Sequence, residues 1–209
     1  MYTELELVNH ILHTLGEENT PTLETTHPAV VQARNTLVSY NKEFQQTGWW
    51  FNKELNVKLL PDNEGRVRLP SDTMEFRVTQ CLLMARMPGQ KIRFVKRGRF
   101  IYDAYEHTNI LNCAVWADLT VLLPIEDLPA AAGNYLKHFA AESAYLADDG
   151  DLNAHSKLQQ KTALAWADLK AAQIKATGPN AYETPHMMQF RNATLGSGGS
   201  GRRGVYLGG

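Results

Sequence analysis

The chain has 209 residues, 44% of them hydrophobic, and a formal net charge of −1 from 21 basic and 22 acidic side chains. This composition is typical of an ordinary globular protein with one sizeable core or two small ones, and it gives no overall electrostatic reason to bind nucleic acid. Apolar runs fall short of the roughly 20 residues that cross a bilayer, so we expect no membrane segment.

Two amphipathic helices are predicted at the start of the chain. Thr3-Glu4-Leu5-Glu6 has the pattern of a capping box, and Gly16 should end the first helix because glycine adopts the left-handed conformation easily. Pro28 suits the first turn of a second helix that ends at Gly48. The predicted buried residues are Leu5, Val8, Ile11, Leu12 and Leu15, then Val30, Ala33, Leu37, Tyr40 and Phe44.

Three consecutive aromatic residues, Trp49, Trp50 and Phe51, follow Gly48. They stand where the apolar period changes from helical to alternating. Large aromatic side chains at such a point commonly fasten a helical layer to a sheet. We therefore predict an aromatic corner between two domains.

The middle of the chain predicts a small antiparallel sheet of five or six strands. Leu55, Val57 and Leu59 alternate with polar residues, and turn residues 61–65 should lead into a partner strand at 66–69. Further strands are expected within 75–84 and 114–123. A second hairpin should join residues 91–96 and 99–102 around Arg97-Gly98.

Helices return after residue 124. The third should open at Leu128-Pro129, and the fourth should run from about 152 to 176 after a break at residues 148–151. The fourth helix is rich in alanine, which buries little area per residue, so it is a candidate for stabilisation by neighbouring subunits. The predicted inward residues are Ala132, Tyr135 or Leu136, Phe139 and Leu146, then Leu158, Ala165, Leu169 and Ala172.

These elements predict an α+β fold with three parts. An antiparallel helical bundle is formed by the N- and C-terminal helices, residues 1–48 and 125–176. A small antiparallel β domain, residues 49–124, is inserted between them. Residues 177–209 form an extended C-terminal arm.

The arm contains a flexible glycine–serine run at 196–201 between groups of larger side chains. Its apolar content is too low for independent folding, so we expect it to become ordered on a partner. The alternative is a tail without a function. The predicted docking residues of the arm are Tyr182, Met187, Met188, Phe190, Arg191, Arg202, Arg203 and Tyr206.

Charge is distributed unevenly along the chain. The first 33 residues carry five acidic residues and no lysine or arginine. A predicted basic hairpin follows, with Phe94, Phe100 and Tyr102 interleaved, which favours either an inter-subunit surface or one close to DNA. The alternatives are the two faces of an ordinary hairpin or a module that binds single-stranded nucleic acid. Its basic residues are Lys91, Arg93, Lys96, Arg97 and Arg99.

The sequence contains no recognised catalytic, cofactor or metal motif. His10 and His13 are interpreted as a solvated pair on the first helix, and His138 with Glu142 as a surface ion pair. Cys81 and Cys113 are expected to be reduced, because the acidic N-terminus does not resemble a secretory signal and predicts synthesis in the cytoplasm. A polysaccharide hydrolase stays an alternative, but it requires two facing carboxylates and the sequence singles out none.

Several short motifs occur in a defined order along the first half of the chain. They are Val8-Asn9, Ile11-Leu12, Leu15-Gly16-Glu17, Thr22-Leu23-Glu24, Gly48-Trp49, Phe51-Asn52, Leu60-Pro61-Asp62 and the run from Arg97 to Asp103. On these motifs the chain resembles the tail tubular protein A family, the head-to-tail adaptors of short-tailed phages.

The resemblance implies a structural protein of the virion and not an enzyme. Family members are helical bundles with a β domain that assemble as a ring of about twelve copies. The ring lies at the head–tail junction between the portal protein and a tail nozzle protein of the tail tubular protein B type. Double-stranded DNA passes through its channel, and the C-terminal segment reaches toward the portal.

Overall fold

A computed structural model describes residues 1–83, 94–147 and 151–178 of the chain, and it confirms the predicted α+β class. The helices are α1 (Glu4–Thr14), α2 (Pro28–Gln46), α3 (Ala130–Ala147) and α4 (Leu152–Thr177), with a 3-10 turn at Ile125–Asp127. The strands are β1 (Lys53–Leu59), β2 (Thr73–Cys81), β3 (Phe94–Arg97), β4 (Phe100–Asp103) and β5 (Val115–Val121).

The predicted ends of the first two helices are confirmed. The Thr3 hydroxyl accepts a hydrogen bond from the Glu6 amide at 3.2 Å, and the Glu6 carboxylate accepts one from the Thr3 amide at 2.8 Å. Gly16 and Gly48 follow α1 and α2 with φ of +80° and +75°. Local chemistry therefore defines where each helix ends.

The strands form two small antiparallel sheets. The three-stranded sheet has the order β1-β5-β2, and β3 pairs with β4 in a separate hairpin. The predicted turn at 61–65 is confirmed, since Pro61 bridges to Val67 in antiparallel orientation. The pairing of β1 itself with residues 66–69 is wrong, because Leu59 pairs with Val115 of β5 and Arg68 bridges to Phe100. Strand β5 carries mostly buried residues, so it takes the central position and leaves β1 at an edge.

The predicted inward face of β1 is wrong at Leu55, which is 71% exposed. A β-bulge between Glu54 and Val57 shifts the register, and Asn56 adopts a φ of +55° there. The Asn56 amide donates to the Asp118 carboxylate at 3.0 Å. The extra residue turns Leu55 to the outside while Leu59 stays in the core.

Buried side chains form one core among the helices and another under the sheet. Helix α3 packs against α1, α2 and α4, and α4 packs mainly on α3. Leu7 is fully buried, although it was not among the predicted core residues. Leu146, which was predicted to face inward, is 63% exposed. Ala144 packs on the helical core, and Leu146 lies two residues later, about 200° further around the helix.

Helix α4 buries only Thr162, Ala165 and Leu169, while the predicted inward residues Leu158 and Ala172 are half-buried. The division into three domains and the antiparallel order of the bundle stay predictions. The predicted arm, from Pro179 onward, lies outside the described residues. No helix in the described ranges is both long and apolar enough to span a membrane.

Candidate assembly surfaces

A buried joint connects the end of α2 to the three-stranded sheet. The Asn52 side chain accepts a hydrogen bond from the Trp49 amide at 2.7 Å. It also donates to the carbonyls of Gln45 at 2.8 Å and Val121 at 3.1 Å. Asn52 is 1% exposed and uses both ends of its amide, so it holds helix, corner and strand in one geometry.

Gln45, seven residues before Asn52, makes a similar set of side-chain hydrogen bonds to distant backbone. Its side chain donates to the Leu123 carbonyl at 2.9 Å and accepts from the Leu123 amide at 2.8 Å. It also donates to the Asn41 side chain at 2.8 Å. A fully buried glutamine thus pairs with a backbone segment 78 residues away and extends the joint to the connection before α3.

The predicted aromatic corner lies beside this joint. Trp49 is 1% exposed, and its indole donates to the Phe44 carbonyl at 2.8 Å. Its ring lies 5.4 Å from the Trp166 ring of α4 and 6.4 Å from a parallel Phe51 ring. Trp50 is half-buried and packs edge-on against Phe51 at 5.0 Å.

Lys170 completes the contact with α4. Its ammonium lies 4.7 Å from the ring centres of both Trp49 and Trp166, a favourable cation–π distance. The aromatic residues of the corner were predicted from the sequence, but the contacts of Lys170, Asn52 and Gln45 were not. An asparagine directly after an aromatic run was the one available signal, since such side chains often bond nearby backbone.

The basic hairpin presents several cations on aromatic rings. The Arg97 guanidinium lies 3.6 Å from the Tyr102 ring centre, and those of Arg66 and Arg68 lie 4.7 Å and 5.4 Å from that of Phe100. Strand register places these groups on one side of β3 and β4, together with the partly exposed Val95. We call this surface the arginine–aromatic face; it comprises Arg66, Arg68, Val95, Arg97, Phe100 and Tyr102.

The predicted basic residues are divided by this geometry. Arg97 lies on the arginine–aromatic face, and Arg99 is exposed in the adjoining turn. The ammonium of Lys96 donates to the Thr73 carbonyl instead. Lys91 and Arg93 lie outside the described residues. The place of Arg66 and Arg68 on this face was not predicted, although their alternation in a predicted strand was a signal that they share a face.

Most of the charge on this face has no counterion. Arg66 is paired with Asp62 at 3.1 Å and with Glu64 at 2.8 Å. Within the described ranges Arg68, Arg97 and Arg99 form no ion pair. The face and its adjoining turn, which carries Arg99, therefore keep at least three exposed positive charges available for an anionic partner.

The loop between α1 and α2 carries the opposite charge. Glu17, Glu18 and Glu24 are exposed there, and none forms an ion pair with any part of the chain that the structure describes. The Asn9 side chain holds the loop by donating to the Thr20 carbonyl at 3.0 Å and accepting from the Thr20 amide at 2.8 Å. Glu17 and Glu18 line an open depression of about 380 Å³ beside Val30. We call residues 16–27 the acidic loop.

Four large hydrophobic side chains of α4 are exposed by 37–81%, among lysines and other polar residues. They are Leu152, Leu164, Ile174 and Trp166, and Trp166 also packs against Trp49. We treat these side chains as a candidate contact with another protein chain.

The histidines are arranged differently from the prediction. The interpretation of His10 as a solvated residue is wrong, because its ring packs edge-on against His138 at 5.4 Å and its Nε2 is buried without a hydrogen-bond partner among the described residues. Burial, reinforced by Lys137 and other nearby basic groups, lowers the pKa of His10 to about 4. Glu142 lies 3.7 Å from His155, whereas a pair with His138 was expected.

Glu75 and Asp118 line one open depression of about 290 Å³ on the sheet. A hydrogen bond from Arg77 at 2.7 Å is the largest cause of a lowered pKa at Asp118. A carboxyl group held in its ionised form is a poor proton donor, so Asp118 does not suit the acid role in glycoside hydrolysis. Among the described residues no group of three or more potential ligands could hold a metal.

Residues 5–173 match the family model described as tail tubular protein, and the chain belongs to that family. It is therefore a structural component of a phage tail, and the predicted family resemblance is confirmed.

A curated relative makes the comparison more specific. Tail tubular protein A of Klebsiella phage KP34 is 25% identical over 158 residues, which cover 75% of this chain and 80% of that protein.

Proposed function

We propose that this protein is the head-to-tail adaptor of its phage. About twelve copies form a ring between the portal protein and the tail nozzle protein, and double-stranded DNA passes through the ring. The family membership supports a structural role in the tail. Assembly into a ring is supported by the unpaired, opposite charges that the described residues place on two separate surfaces of one chain.

The exposed side of α4 supports assembly as well. This helix has 26 residues but buries only three side chains against its own chain. Its exposed leucine, tryptophan and isoleucine side chains would lose contact with water in a ring, at about 25 cal/mol for each Å² buried. Such a helix gains stability from a neighbouring copy or from another tail protein.

The proposed arm supplies the contact with the portal. Helix α4 ends at Gly178, which has a φ of +49° and so redirects the chain. The aromatic, methionine and arginine residues between 182 and 206 then bind the portal by ordering on it. Many identical arms engaging one ring together offset the entropy lost by each.

Electron microscopy tests the proposal directly. The full chain is mixed with the portal protein of the same phage, and we expect a ring coaxial with the portal that is absent when either protein is omitted. A chain truncated after Gly178 should retain its circular dichroism spectrum but lose this binding. Undiminished portal binding by the truncated chain would refute the arm, and absence of any ring on the portal would refute the adaptor.

A further inference from the structure

We propose that the arginine–aromatic face of one copy binds the acidic loop of a second copy, so that identical chains associate head to tail. The inference rests on the proposed function, since it names the surfaces through which copies of this protein meet. Its two halves are the uncompensated cations Arg68, Arg97 and Arg99 and the uncompensated carboxylates Glu17, Glu18 and Glu24.

The acidic loop and the arginine–aromatic face lie on different parts of the fold. The acidic loop directly precedes the first turn of α2. The face lies on the β3–β4 hairpin, whose Ile101 shares a core with the three-stranded sheet, and the joint at Asn52 fastens that sheet to the last turn of α2. Among the described residues no ion pair joins the two surfaces, so their charges are available to a neighbour.

Both surfaces are held in place before any partner arrives. Aromatic rings position Arg68 and Arg97, which limits the rotamer freedom those side chains lose on binding. The Asn9 hydrogen bonds to Thr20 hold the acidic loop, and Leu23 packs on the helical core. Arginine pairs with carboxylate through two parallel hydrogen bonds, so a planar guanidinium suits the depression lined by Glu17 and Glu18.

A head-to-tail contact has a clear structural consequence. Each copy uses one surface as donor and the other as acceptor, and such heterologous contacts close into a ring when the rotation between copies allows it. Phosphate groups of nucleic acid would also attract the arginines. The second copy is favoured because this chain itself supplies a fixed acidic surface of matching charge.

Two charge-reversal variants test the contact in the full chain. The face variant combines Arg68→Glu with Arg97→Glu, and the loop variant combines Glu17→Lys with Glu18→Lys. Matched controls reverse exposed charges elsewhere, with Lys42→Glu plus Lys58→Glu and with Glu43→Lys plus Glu54→Lys. Circular dichroism and urea unfolding confirm that each variant is folded.

Sedimentation velocity at about 50 mM salt measures self-association. We expect the wild-type chain and both controls to associate as concentration rises, and each test variant alone to associate at least tenfold more weakly. An equal mixture of the two test variants should regain association, in complexes that contain both variants. The intact loop of the face variant then meets the intact face of the loop variant, and the reversed face meets the reversed loop with opposite charge.

Three results would overturn the inference. They are a wild-type chain that stays monomeric up to about 10 mg/ml at low salt, a mixture without complexes that contain both variants, or controls that weaken association as much as the test variants. A face variant that loses binding to short duplex DNA while its self-association is unchanged would assign the face to nucleic acid instead. If each test variant, used alone, still forms rings on the portal, this contact is refuted and the adaptor function stands.

Discussion

The side-chain amide of Asn52 donates to the Gln45 carbonyl at 2.8 Å, and this hydrogen bond ties the last turn of α2 to the residue that precedes β1. The same side chain also bonds the Trp49 amide and the Val121 carbonyl. All of these groups are shielded from water, so removing the side chain takes one buried hydrogen bond from each of them.

We expect Asn52→Ala to lower the free energy of unfolding by about 3–5 kcal/mol, because three buried backbone groups each lose a hydrogen bond. Urea unfolding followed by circular dichroism measures the change. Asn63→Ala, in an exposed turn, is the matched control and should change stability by less than about 0.5 kcal/mol. Equal effects of the two substitutions would contradict a structural role for the joint.

Gly65 and Gly98 form a second matched pair. Both have positive φ, of +76° and +60°, so alanine costs about 1 kcal/mol of backbone strain at either position. A Cβ at Gly65 would also lie 2.0 Å from the Asn112 side-chain oxygen, while the space at Gly98 is open. We expect Gly65→Ala to lower Tm by at least about 4 °C more than Gly98→Ala in thermal unfolding. Similar Tm values would mean that Asn112 moves aside without cost.

Helix α4 depends on a single large aliphatic side chain. Leu169 is fully buried, whereas Leu164 on the same helix is 69% exposed. Leu169→Ala should cost about 2–5 kcal/mol by leaving a cavity, and it should speed amide hydrogen exchange in α4 more than in α2. Leu164→Ala should leave exchange in the isolated protein nearly unchanged. Uniform acceleration across all helices would show instead that α4 unfolds only with the whole protein.

Stability should depend on pH through His10. Its folded pKa is lowered to about 4 from 6.5, chiefly by burial, so the folded state disfavours the charged imidazole. The contribution of His10 to stability is present above the unfolded pKa and is lost as pH falls from about 6.5 toward 4. Because the side chain is only half-buried, we expect a loss of about 1–2 kcal/mol across this window.

Replacement by an untitratable ring tests this dependence. His10→Phe should flatten the fall in urea-unfolding free energy between pH 6.5 and 4, leaving the weaker contribution of His138, whose pKa burial also lowers. His13→Phe, at an exposed position on the same helix, is the control. A steep fall that persists in His10→Phe would assign the pH dependence to other groups.

Much of this fold followed from local patterns in the sequence. The capping box at Thr3, the left-handed glycines at 16 and 48 and the alternating apolar residues of β5 predicted the corresponding elements correctly. Each of these features depends on residues within a few positions of one another, so the amino-acid order alone contains the information.

Other features came from contacts between distant parts of the chain. Strand β1 pairs with β5 some sixty residues later, and the bulge beside Asn56 turns Leu55 outward. The joint at Asn52 reaches Val121, which is 69 residues away, and His10 is buried against His138. Pairing, burial and the pKa of a side chain depend on which distant groups surround it, and packing of the folded chain sets those neighbours.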